Sequence, residues 1–323
     1  MGAVLAAILL GVAGVLAVVR PQPGLGDAPM VVDLASGALY VRVDDTVHPV
    51  FNLVSARLIA GPDSAGPRAV TSSAIERARR GPPLGIPGAP ATLGPALPDG
   101  QTWSLCDDAT GTTLLVGVDP PPAARVEPQQ PLAVRSEAGA TFVLLRGHRL
   151  AVSSASVETA APRQLSGLLL DAVPEARAGE AATLPAAATL AAALTLCVYW
   201  RADDPAALTV TAGVGLPASV TPTTLAQADG PGPALDAVYL PPGHSAYVRA
   251  AGVSGRVAGA GYLISETGVR FTIGDDAAAR SLGLPATPSA VAWPMLSGLP
   301  AGALLSRQQA LLARDVVLTM PAR

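Results

Sequence analysis

The chain has 323 residues and a net charge of −3, and all 21 of its basic residues are arginine, a balance that gives no electrostatic case for nucleic-acid binding. Hydrophobic residues make up 50% of the sequence but aromatics only 3%, so the core has to be built from alanine, valine and leucine. The 33 glycines and 32 prolines exclude an architecture of long helices and favour short strands, short helices and many turns.

Residues 1–19 carry no charge, and at ~1.5 Å per residue they match the ~30 Å hydrocarbon core of a bilayer. Arg20 and Pro21 end the run. No basic segment precedes it and 16–21 is a poor cleavage site, so residues 1–20 read as a transmembrane helix rather than a cleaved signal. Arg20 lies on the C-terminal side, which taken alone weakly opposes an extracytoplasmic body under the positive-inside rule. The cysteines argue the other way. Cys106 and Cys197 form no Cys-x-x-Cys pair, so neither a metal nor a redox motif is present, and one long-range disulfide is expected in an oxidising compartment. Two buried free thiols are the rival reading.

Past the anchor, Val31-Val32-Asp33 turns at Ser36-Gly37 into Tyr40-Val41-Arg42-Val43, residues 52–60 have a helical pattern, and 81–90 is rich in proline and glycine. Trp103-Ser104-Leu105-Cys106 and 112–118 read as strands. A second hairpin follows, Phe142-Val143-Leu144-Leu145 turning at Arg146-Gly147 into His148-Arg149-Leu150-Ala151-Val152. Residues 178–194 are alanine-rich. They resemble a second membrane span, but Pro185 interrupts them and alanine contributes little to insertion. Strands are expected over 194–200, 207–212, 237–240 and 246–249. The third hairpin runs from Tyr262-Leu263-Ile264 through Ser265-Glu266-Thr267-Gly268 to Val269-Arg270-Phe271-Thr272-Ile273. After the second and third hairpins come apolar blocks of one or two helical turns that end at Pro174 and Pro300.

A unit of about fifty residues therefore recurs, too small to be stable alone and best packed on a shared centre. The expected fold class is α+β: a single N-terminal transmembrane helix, then hairpin-plus-helix repeat modules around a central disulfide-linked β-sheet domain. The boundaries are 1–20 for the transmembrane helix, 21–100, 132–180 and 254–310 for the modules, 101–131 and 181–253 for the two parts of the central sheet, and 311–323 for a tail. Trp103 and Trp200 each stand three positions from a cysteine, which suggests packing beside the bridge. With Trp293 they are assigned to core filling.

Several blocks in order resemble EccB, a membrane-core component of ESX type VII secretion systems. They are the anchor, residues 31–40, His48-Pro49-Val50-Phe51-Asn52-Leu53-Val54-Ser55-Ala56-Arg57-Leu58, Gly85-Ile86-Pro87-Gly88-Ala89-Pro90, Trp103-Ser104-Leu105-Cys106-Asp107, Val238-Tyr239-Leu240-Pro241-Pro242-Gly243 and residues 262–273. The resemblance implies a single-pass protein of the cell (inner) membrane with most of its mass in the periplasm. Its partners are then the lipid bilayer, other membrane subunits of the ESX complex and further copies of itself. The family's basic cytoplasmic segment ahead of the helix is not seen before residue 1, and the stretch between Pro174 and Leu194 is shorter than the family's layout.

Some members of that family are described as nucleotide hydrolases, so phosphate chemistry has to be weighed. A P-loop needs a lysine, and the chain has none. Gly259-Ala260-Gly261 lacks the third glycine of a dinucleotide cradle and reads as a turn. His48, His148 and His244 lie in separate segments, as surface or turn residues do. The pairs Asp44-Asp45, Asp107-Asp108, Asp203-Asp204 and Asp275-Asp276 are assigned to solvated loops. No catalytic, metal or cofactor residue is assigned; the designated site is the disulfide pair Cys106 and Cys197. The leading function is a structural subunit that anchors and assembles the periplasmic part of a type VII secretion complex. The alternatives are a membrane-tethered cell-wall hydrolase or carbohydrate-binding protein, and ATP hydrolysis within the same complex.

Overall fold

Short apolar runs bounded by glycine and proline pair into four sheets in a computed structural model that describes residues 24–119, 131–145, 147–153, 163–176, 195–201, 209–212, 216–252 and 256–314. Strands β1 (Met30–Asp33), β2 (Leu39–Val43), β3 (Thr46–Pro49), β4 (Arg68–Val70) and β5 (Arg79–Arg80) form the first outer sheet, in the order β4-β1-β2-β3-β5. The chain then enters a central sheet with β6 (Thr102–Asp108) and β7 (Gly111–Val116). It leaves to build the second outer sheet from β8 (Leu132–Ser136), β9 (Thr141–Leu145), β10 (His148–Val152) and β11 (Arg163–Leu165), in the order β10-β9-β8-β11. On its return, β12 (Thr195–Arg201), β13 (Thr209–Ala212), β14 (Thr223–Thr224) and β15 (Ala237–Tyr239) complete the central order β13-β12-β6-β7-β15-β14. The last sheet, β18-β17-β16-β19, comes from β16 (Ala246–Ala251), β17 (Val257–Ile264), β18 (Arg270–Thr272) and β19 (Ser289–Ala292).

The three outer sheets are copies of one unit in one register. In each, three strands meander antiparallel and a fourth returns parallel to the first. Val31, Val134 and Val248 on the first strands face the aromatic residues Tyr40, Phe142 and Tyr262 on the second. The same three valines face Arg68, Arg163 and Ser289 on the fourth. A short helix follows each fourth strand: α2 (Ser72–Glu76), α3 (Gly167–Ala172) and α5 (Trp293–Ser297), with N-caps Thr71, Ser166 and Ala292. Nine residues beyond each N-cap, Arg80, Glu175 and Ala301 run parallel beside Val47, Arg149 and Arg270 of the third strand. The first and third units also carry a helix between the third and fourth strands, α1 (Leu53–Ala60) and α4 (Asp276–Ser281). A final turn of helix, α6 (Arg307–Ala310), ends the described chain near the first unit, where Ala313 bridges Leu84.

Helix α1 starts where it does because the Asn52 side chain accepts the Ser55 amide at 2.8 Å and donates to the Ile86 carbonyl at 3.0 Å. It ends at Gly61, whose φ of 93° is cheap only for glycine. One apolar core joins the central sheet to the second and third units through Trp103, Trp200, Leu144, Leu169, Ile264 and Met295. A second core joins the first unit to the third, with Val54, Leu58, Leu263 and Phe271 among its members. The third unit thus packs one sheet face on each.

The structure corrects several expectations. Strand side chains alternate faces, so residues three apart point opposite ways. Trp103 and Trp200, paired across β6 and β12, therefore lie in the first core, while Cys106 and Cys197 lie on the other face with Leu115 and Tyr199. The tryptophans do not pack beside the bridge. Strand β16, assigned from sequence to the central part 181–253, pairs instead with β17 and β19 of the third unit. Gly259-Ala260-Gly261 lies within β17 rather than in a turn; the ladder shifts register between Arg249 and Ala251, and the Tyr247 ring packs over Gly261. Asp275 and Asp276 start a helix, Asp275 accepting the Ala278 amide at 2.7 Å.

No described helix is long and apolar enough to cross a membrane. The expected helix at 1–20, the alanine-rich stretch 178–194, Arg146 and the pair Asp203-Asp204 lie outside the described residues.

Candidate functional site

The centre of the protein is a seven-rung antiparallel pairing of β6 with β12, from Thr102–Arg201 at one end to Asp108–Thr195 at the other. Cys106 and Cys197 occupy one rung and are joined by a disulfide across 91 residues of sequence; among the described residues no cysteine is free. Everything between them, including the second unit, is a closed loop on this sheet.

Asp107, one residue past the cysteine, points to the opposite face and fastens the second unit. Its carboxylate accepts the Ser166 amide at 3.1 Å, the Thr112 hydroxyl at 3.4 Å and the Arg163 guanidinium at 2.5 Å, while the Asp107 carbonyl takes a further bond from Arg163 at 2.8 Å. Ser166 is the N-cap of α3, so the contact sets both the position and the start of that helix. Burial pushes the Asp107 carboxyl above its ordinary value, and the Ser166 amide and the Arg163 charge only partly offset this. The residue is buried in a strand, not solvated in a loop as the adjacent-aspartate pattern suggested. Asp236 does comparable work unforeseen from sequence: its carboxylate gathers the amides of Thr112, Asp229 and Gly230 at 2.7–2.8 Å, tying the loop before β15 to β7.

The first unit reaches the third through residues 94–97. The Ser245 amide and hydroxyl donate to the Pro95 and Gly94 carbonyls, and the Leu97 amide donates to the Ser245 carbonyl at 2.7 Å. Gly94 lies so close to the Gly243 carbonyl that no side chain fits there. Beside this junction runs an open groove of about 460 Å³, between Pro90, Thr92 and Leu93 on one wall and His244, Glu266 and Phe271 on the other. Neither arginine nor lysine lines it.

The candidate residues from sequence are spread over these parts. His48 sits on β3 with Nδ1 2.9 Å from the Pro82 carbonyl, a strand position rather than a turn. His148 opens β10, and His244 is in the turn before β16. Among the described residues no three of histidine, cysteine, aspartate and glutamate gather at metal-binding distance. Trp293, assigned to the core, is 43% exposed at the start of α5. No sequence motif marks that position, because only the strand register brings it beside Tyr262 and Arg270.

These features define a modular scaffold: three copies of one βββ-β-α unit, clamped through buried junctions to a bridged sheet. The chain belongs to the family described as "Type VII secretion system ESX-1, transport TM domain B", which it matches over residues 1–193 and 182–319. The two matches overlap at residues 182–193. Among curated relatives, the ESX-3 secretion system ATPase EccB3 of Mycolicibacterium smegmatis is 28% identical over an alignment 420 positions long, gaps included, covering 94% of this chain and 81% of the relative. The ESX-5 secretion system ATPase EccB5 of Mycobacterium tuberculosis is 27% identical, with 93% and 83% covered. Among solved structures, the fold is similar to the periplasmic assembly of an ESX-5 inner membrane complex, with a TM-score of 0.73 at 24% identity, covering 94% of this chain and 99% of the other. It is also similar to the EccB3 dimer from the ESX-3 core complex, with a TM-score of 0.69 at 26% identity, covering 88% and 100%.

Proposed function

We propose that the protein is a structural subunit of a type VII (ESX) secretion membrane complex, held in the cell membrane by residues 1–20 and assembling the complex through its folded body on the periplasmic side. Membership of the EccB family over nearly the whole chain carries this reading. Three observations support it. Residues 1–19 have the length and apolarity of a single span. The Cys106–Cys197 bridge suits an oxidising compartment. The three repeated units, packed on the bridged sheet and on one another, also form a body whose outer faces can meet neighbouring subunits. Its partners are the other membrane subunits and further copies of this chain.

Deleting the gene in a strain with an active ESX system tests the function. Secretion of that system's substrates stops and returns when the full chain is supplied, but not when a version lacking residues 1–23 is supplied. Undiminished secretion in the deletion strain would contradict the proposal.

A further inference from the structure

The common register of the three units is an internal control, and it singles out one cation. By strand pairing, Val47, Arg149 and Arg270 are equivalent, as are Tyr40, Phe142 and Tyr262. Five residues past the helix N-cap, Glu76, Asp171 and Ser297 are equivalent too. In the second unit the arginine is fully partnered. Arg149 lies 5.9 Å from the Phe142 ring centroid and donates at 2.9 Å both to the Leu170 carbonyl and to the Asp171 carboxylate. The first unit has the acid, Glu76, but Val47 in the arginine's place.

The third unit has the arginine but Ser297 at the position of the acid. Arg270 is 5.0 Å from the Tyr262 ring and 4.8 Å from the Trp293 ring, and the two rings are 6.3 Å apart. Ser297 supplies no charge. The Arg270 guanidinium forms no ion pair among the described residues, and its Nε is buried without a hydrogen-bond partner. Stacking on rings holds the flat face of a guanidinium and leaves its N–H edge for a carboxylate. A half-desolvated cation is costly until such a partner arrives. Tryptophan, tyrosine and arginine, the three residues gathered here, are also the types enriched at the energetic centres of protein interfaces.

We propose that Tyr262, Arg270 and Trp293 form a docking site for an acidic segment of a neighbouring, different protein subunit. Its carboxylate takes the place that Asp171 fills in the second unit, and an adjoining apolar side chain covers Trp293. The first unit of a second copy fits poorly, because its Glu76 stands among the exposed Arg77, Arg79 and Arg80 and would bring net positive charge to Arg270. The site rests on the assembly reading only for the kind of partner it takes.

The test replaces Trp293 with p-benzoylphenylalanine in the full chain, in cells with an intact secretion system, and sequences the photo-adduct by mass spectrometry. The expected adduct is on a peptide of another subunit with an aspartate or glutamate within a few residues of the crosslink. Ser297→Asp, which restores the internal carboxylate, and Arg270→Gln, which removes the cation, each lower its yield about tenfold or more, as the loss of one member of a desolvated charge pair does. If Ser297→Asp fails to fold, Arg270→Gln decides alone. Unchanged yield, a lipid adduct, an adduct on a second copy of this chain or a captured peptide without an acid overturns the site. Co-purification of the other membrane subunits from the same cells separates the two claims: an intact complex with a charge-insensitive adduct defeats the docking site and leaves the assembly reading standing.

Discussion

Asp107 holds a helix start, an arginine and a strand at once, and its two substitutions separate hydrogen bonding from charge. Asp107→Ala strands the buried Ser166 amide and removes the Arg163 ion pair, so urea unfolding shows a loss of about 1–3 kcal/mol. Asp107→Asn keeps one side-chain acceptor, for the Ser166 amide, while Arg163 retains the main-chain carbonyl of residue 107, and it sheds a charge that burial opposes, so it costs less than the alanine change. The pH dependence has a definite sign. A carboxyl raised in the folded state binds its proton more tightly there than in the unfolded chain, so its contribution to stability falls as pH rises through the window from the ordinary 3.8 up to the raised folded value. Wild type loses stability across that window relative to Asp107→Asn; parallel curves for the two would contradict the account. None of this was visible in the run Asp107-Asp108, since aspartates favour turns over strands and the local sequence does not show the distant partners that hold this one in a strand. The tryptophan misplacement is of another kind: nearness in sequence was read as nearness in space, although strand alternation puts Trp103 and Cys106 on opposite faces.

The hairpins were legible because each is local: two apolar runs, a glycine turn, a few residues of separation. Helix α1 was legible as a local pattern over 52–60, although Asn52 proves to be its cap rather than its first residue. Membership of β16 was not, because the choice between the central sheet and the third unit depends on partners at 257–264 and 289–292 that local pattern does not specify. Helix α4 was missed because its alanine-rich turn carries no amphipathic stripe, only the Asp275 cap. The β6–β12 pair gives the sharpest prediction for an element. Closing a loop as long as that between Cys106 and Cys197 stabilises by about 4–5 kcal/mol in the chain-entropy model. The double variant Cys106→Ala/Cys197→Ala keeps the seven-rung ladder but unfolds at lower urea. Its m-value is larger, because the denatured chain loses a cross-link and exposes more surface. Coincident urea curves for the oxidised parent and the variant would show that the bridge constrains nothing.

Assembled, the three units do not stand in line. The third packs one face of its sheet on the core shared with the central sheet and the second unit, and the other on the first unit, so the chain closes on itself between residues 24 and 314. Such closure explains how a core poor in aromatics supports so many short strands: each unit's exposed face becomes a neighbour's partner, and the buried polar junctions at Asp107, Asp236 and Ser245 fix the register of that packing. The result is a body closed by shared cores whose outer faces are free to present surfaces, which fits assembly within a membrane complex. The most direct measurement is gentle detergent extraction and affinity purification of the tagged full chain from cells with an intact ESX system, with light chemical crosslinking before lysis. The account predicts a large membrane complex in which this chain is crosslinked to the other secretion subunits and to itself. Recovery as a lone monomer from such cells, with those subunits assembled without it, would contradict it.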